Sequence, residues 1–152
     1  QMIADLTQKQ KEGLMSGIVF TEIDHNYVNP ASSKYQKEIA STVSDTVRIA
    51  NEELEYEIII IEPGFNFWLA SRAMPRDYYS QSYLEARNQF WVTEFNNRVL
   101  QPIRFDPNLY QMQIDYQRGI DYGYEVNYML FNYLVYFQQT YKQQLGGFAA
   151  RI

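Results

Sequence analysis

The sequence predicts a mainly α, single-domain protein spanning residues 1–152, and three observations point there. The chain has the usual length of one domain and enough residues to bury a core. Its composition, 46% hydrophobic and 20% charged, is that of a globular chain rather than a disordered one. Apolar residues recur at helical spacing through much of it, and between Val126 and Phe137 they surround the helix axis almost completely.

Taken in order, Asp5 to Tyr27 reads as one long helix. Leu6, Leu14, Ile18, Thr21, His25 and Val28 fall on a stripe spaced by three, four and seven, apart from the polar turn at Gln10. Gly13 and Gly17 weaken it by roughly 1 kcal/mol each relative to Ala and would let another element approach closely. Asn29-Pro30 ends it, because the residue before a proline is pushed out of the helical region. A second helix is expected after Pro30, capped by Ser32 or Ser33 and running to about Ala50, with Tyr35, Ile39, Val43 and Val47 as its apolar stripe. Glu52, Glu53, Glu55 and Glu57 read as a solvated acidic face. Ile58–Ile61 is continuous and β-branched, so a short strand and a buried helical turn are both open there, and Glu62-Pro63-Gly64 breaks whichever forms.

Phe65–Ala73 reads as a helical turn stopped by Met74-Pro75. Ser80 to Leu100 reads as a helix with Tyr83, Phe90, Glu94 and Asn97 on one side. Pro102 and Pro107 bracket an irregular connection, a short helix is expected from Asn108 to Tyr116, and the last helix runs from Tyr124 to about Gln144, ending at Gly146-Gly147. No internal repeat, low-complexity tract or linker interrupts this order.

Several function classes fall away. A net charge of -5 and a pI of about 4.9 leave no general nucleic-acid footprint. The absence of cysteine removes disulfides, thiolate zinc sites and cysteine nucleophiles. The longest apolar runs are far short of the roughly 18 residues of a transmembrane span. The start at Gln1 reads as a processed or partial product, with a removed leader left open. No serine sits in a Gly-x-Ser-x-Gly elbow and no glycine-rich phosphate loop is present.

The remaining chemical signal is Phe20–Pro30, which holds the single histidine of the chain. On a helix Glu22 and His25 share a face, and Thr21 shares it with His25. This is the spacing of HExxH, in which two histidines hold zinc and the glutamate is the general base, with Thr21 in place of the first histidine. The stretch resembles the active-site helix of zincin metallopeptidases, closest to a family of uncharacterised bacterial proteins with an HExxH motif followed by an aromatic or Val-Asn-Pro sequence. Glu22, His25, Tyr27, Val28, Asn29 and Pro30 carry the resemblance. Phe90–Phe95 is similar to the segment that supplies the third ligand in the gluzincin branch.

The resemblance implies Glu22 as the base, His25 and Glu94 as metal ligands, Thr21 at the lost ligand position, a bacterial envelope or exported location, and zinc as cofactor where the site is complete. A catalytic zinc takes three protein ligands and lowers the pKa of its water from about 15.7 to about 7. Two ligands hold the ion too weakly, so no cofactor is expected for the chain as it stands.

The tyrosines, 14 in all, crowd the last third from Tyr110 to Tyr141. Core and boundary packing between helices is their ordinary role. Tyr122 and Tyr124, near a glycine-containing helix entry, are the ones expected to face a cleft and bind substrate. The expectation is therefore a degenerate metallopeptidase-like domain, impaired in zinc-dependent peptide hydrolysis and keeping a cleft for a peptide or protein. The alternative is a non-enzymatic structural or interaction protein that associates, or oligomerises, through tyrosine-rich helical surfaces, with Glu22 and His25 merely paired.

Overall fold

The computed structural model describes residues 17–22, 46–51 and 56–152. Within them the protein is mainly helical, with three helices following a small antiparallel sheet. The strands are β1 (Gly17–Glu22), β2 (Thr46–Asn51) and β3 (Tyr56–Ile61), in the order β1-β3-β2. Gly17 pairs with Ile61 and Glu22 with Tyr56 on one side of β3; Thr46 pairs with Ile61 and Asn51 with Tyr56 on the other.

The sheet corrects two expectations. The helix drawn over Asp5–Tyr27 is extended strand at Gly17–Glu22, and the helix drawn to Ala50 is strand from Thr46 onward; their other residues lie outside the described ones. The physical reason is the central strand. Ile58–Ile61 is β-branched throughout and needs partners, and Ile18-Val19-Phe20 and Val47-Arg48-Ile49 carry the branched and aromatic residues that suit a pleated surface. Pairing overrode a helical stripe that contained two glycines. Ile60 and Ile61 are both buried although successive residues of a strand face opposite ways, so β3 is covered on both faces at its end.

After the strand, Pro63-Gly64 turns the chain into α1 (Phe65–Arg72). Gly64 sits at the helix N-cap with φ 85°, and its carbonyl accepts from Trp68 N at 3.0 Å. Helix α2 (Gln81–Val99) begins at Ser80, whose Oγ accepts from Tyr83 N at 3.2 Å. Helix α3 (Tyr124–Thr140) follows Gly123 and is the centre of the molecule: Leu130, Leu134 and Val135 have no exposed surface. It packs against α2 through Leu84, Trp91, Val92 and Phe95, and against α1 through Phe65.

The helix expected over Asn108–Tyr116 does not form. Leu109 N and Tyr110 N both bond Asp106 O at 3.0 Å, which makes a single turn. Asn96 then takes the chain away from it: its Nδ2 donates to Ile114 O at 2.8 Å, and its Oδ1 accepts from Ile114 N at 2.7 Å. A side-chain amide thus satisfies both backbone groups that a helix would have used. Helix α3 also ends at Thr140, before the expected Gln144. The buried Gln138 accounts for this, since its Oε1 accepts from Leu145 N at 2.8 Å and its backbone carbonyl accepts from Gln143 N at 2.9 Å.

Candidate binding cleft

The first half of α2 places Tyr83, Arg87 and Trp91 four residues apart, on one face of the helix. Tyr79 extends that face just before the helix begins. After α3, the chain returns past Gly146 and lays Phe148, Arg151 and Ile152 across it. Gly146 makes the return tight: a Cβ there would lie 3.3 Å from the Phe90 ring and 3.5 Å from Trp91 Nε1. Between the two segments is a cleft of about 320 Å³ lined by Tyr79, Tyr83, Arg87, Trp91, Phe148, Arg151 and Ile152.

Its walls are held by ring contacts. Tyr79 and Tyr83 stack at 4.5 Å with an interplanar angle of 12°, Tyr79 leans on Phe131 at 5.5 Å, and Trp91 stacks on the same Phe131 at 5.5 Å. Phe131 itself is buried on α3, so the aromatic floor is anchored in the core. The Arg87 guanidinium lies over Phe148 at 4.8 Å and over Tyr83 at 5.5 Å, a cation held by two ring faces, one from each wall. Burial, with the neighbouring Tyr83 and Tyr78 hydroxyls, pushes the Tyr79 phenol above its ordinary range, and the Arg87 charge only partly offsets this. The cleft is therefore uncharged on its tyrosine side and cationic on its arginine side. No side-chain carboxylate, imidazole, aliphatic hydroxyl or amine is among its lining groups.

The residues singled out in the sequence lie elsewhere. Thr21 and Glu22 are the last two residues of β1, paired with Glu57 and Tyr56, where the backbone is extended and not helical. His25 lies outside the described residues. Glu94 is on α2 and is ion-paired with Arg98, Oε2 to Nε at 2.7 Å. That guanidinium also donates to Tyr110 Oη at 2.9 Å and Gln144 O at 2.7 Å and lies 4.7 Å over the Phe105 ring. Glu94 is thus the counter-ion of a clamp between α2, the connection and the chain after α3. Among the described residues no group of three His, Asp or Glu side chains is placed to hold a metal ion.

Tyr122 is buried, stacked on Tyr116 at 5.1 Å, with its Oη accepting from Gln117 N at 3.0 Å. Tyr124 uses its Oη to accept from Asp77 N at 2.6 Å and to donate to Tyr79 O at 3.1 Å, so it pins the segment that carries the cleft tyrosine. Sequence reasoning missed Arg87, Trp91, Phe148 and Arg151. The Tyr83-x₃-Arg87-x₃-Trp91 spacing was a usable signal for one wall; nothing local announced that the last residues fold back to form the other.

No curated protein and no solved structure matches the chain. Residues 20–151 match DUF6146, a family of unknown function, and the match includes both walls of the cleft from Tyr79 to Arg151. The chain therefore belongs to the DUF6146 family.

Proposed function

We propose that this chain is a non-enzymatic binding module, and that the cleft between α2 and the returning C-terminal segment is its recognition site for a peptide. The observation that carries the reading is the pairing of an aromatic floor with a ring-held guanidinium in a cleft lined by no carboxylate, imidazole, aliphatic hydroxyl or amine side chain. Tyrosine, tryptophan and arginine are the residues that contribute most to recognition surfaces, since each offers a flat apolar body with polar edges. A volume near 320 Å³ lies at the small end of ligand sites and accommodates one or two side chains of a partner, not a folded domain. The cleft takes two tyrosines, Tyr79 and Tyr83, and none from the crowded last third.

The test is a nitrogen-15 NMR titration with the tripeptide N-acetyl-Tyr-Gly-Phe. Shift changes are expected to centre on Tyr79, Tyr83, Arg87, Trp91 and Phe148, and to vanish in the double variant Tyr83→Ala, Phe148→Ala. Both positions are well exposed, 38% and 48%, so the fold survives their truncation. Shifts elsewhere on the molecule, or none, would remove the cleft from consideration. Cleavage of the same peptide with zinc added would replace a binding module by a hydrolase.

A further inference from the structure

Arg87 and Arg151 are the two cations of the cleft. The protein carries 18 acidic against 13 basic residues, so a carboxylate is the commonest charged neighbour available to any arginine. Arg76 has one, with Nη2 2.5 Å from Glu125 Oε1, and so does Arg98. Among the described residues, neither cleft arginine has a carboxylate partner. Arg87 has its faces covered instead, over Phe148 and Tyr83. Stacking uses the faces of a guanidinium and leaves its in-plane N–H fork, which matches the two oxygens of a carboxylate.

We infer that the ligand of the cleft presents a carboxylate next to an aromatic or other flat apolar group, the acid meeting Arg87 and Arg151 and the flat group lying against Tyr79, Tyr83 and Trp91. This rests on the cleft being the binding site, and adds what the site selects. A carboxylate is favoured over a phosphate by the inventory of the walls. A dianion would find two guanidiniums but no lysine and no serine or threonine hydroxyl in the cleft, on a protein whose net charge is already -5. Two sources share this chemistry: the free C-terminus of a peptide ending in an aromatic residue, and a small aryl-substituted acid.

The matched probes are N-acetylphenylalanine and its amide, which differ only in the charge, together with N-acetyl-Gly-Gly-Phe and phenyl phosphate. Dissociation constants are read by nitrogen-15 NMR at low and high salt. The acid is expected to bind about tenfold tighter than the amide, the scale of one charge-assisted hydrogen bond. The advantage should shrink at high salt. Arg87→Gln and Arg151→Gln should each erase the difference between acid and amide. Arg151 is exposed, so its variant keeps the test open should Arg87→Gln fail to fold. Tighter binding of the tripeptide than of N-acetylphenylalanine identifies the peptide source, and the reverse identifies the small acid; both support the inference. Equal affinities for acid and amide would overturn it and leave the cleft as a binding site. So would phenyl phosphate outcompeting the acid, or an acid preference that survives both arginine variants. Failure of every probe to shift the cleft resonances would sink this inference and the proposed function together.

Discussion

Asn127 shows how the interior is specified one residue at a time. Its side chain is fully buried between α2 and α3, yet both ends of the amide are used. Nδ2 donates to Gly123 O at 2.8 Å, and Oδ1 accepts from Tyr116 Oη at 2.6 Å and Asn88 Nδ2 at 3.1 Å. Asn88 is buried as well and donates to the Asn127 backbone carbonyl at 3.0 Å. Deleting one member is costly because it strands the others without water. Asn127→Leu removes the shared acceptor and should destabilise the fold by about 2–3 kcal/mol. Tyr116→Phe removes one donor and leaves Asn127 Oδ1 still bonded to Asn88, and should cost about 1 kcal/mol. Urea denaturation midpoints check the order; a Tyr116→Phe loss as large as that of Asn127→Leu would mean that the amide is not the hub.

Among the elements, entry points matter most. Ser80 caps α2 from an extended conformation, and Ser80→Ala should cost about 1 kcal/mol. Gly64 opens α1 at φ 85°, where a side chain is strained by about 1–2 kcal/mol, so Gly64→Ala should cost at least as much although the nearest obstacle to a Cβ, Tyr136 Oη, is at an ordinary 3.5 Å. Thermal melts of the two variants, with Ser80→Asp as a control that keeps a cap, separate these effects from simple surface substitution. The same local signals explain which elements could be read from the sequence. Helices α2 and α3 were legible because a serine and a glycine mark their entries, whereas Gly146-Gly147 drew the end of α3 past Thr140. Strands β1 and β2 were not, because their partner is β3 and nothing within Gly17–Glu22 or Thr46–Asn51 states that pairing; Ile18, Thr21 and His25 happen to fit a helical spacing as well. The cleft was half legible for the same reason. One wall is a helical repeat of Tyr83, Arg87 and Trp91, and the other depends on where Gly146 lets the chain return.

At the scale of the whole molecule, the tyrosines make stability depend on alkaline pH. Burial is the first cause in every case: it pushes the phenols of Tyr110, Tyr116, Tyr128, Tyr133, Tyr136 and Tyr141 above their ordinary range of about 10. The buried Glu62 adds to this for Tyr133, Tyr136 and Tyr141, and Tyr141 donates a short hydrogen bond to its carboxylate. Arg98 pulls Tyr110 the other way, and burial still prevails. Because the folded phenols hold their protons more tightly than unfolded ones, the stabilisation is complete below about pH 10, where both states are protonated. Above that, the unfolded chain sheds protons that the folded one keeps, and stability falls with each further step in pH. Absorbance at 295 nm should therefore rise in step with the loss of far-UV circular dichroism, since the enclosed rings ionise only as the α2–α3 core opens. Ionisation of all 14 tyrosines in one gradual phase near pH 10, with the helical signal unchanged, would show that the aromatic interior admits water. The tyrosine content would then belong to the surface of this fold and not to the interior that holds the cleft in shape.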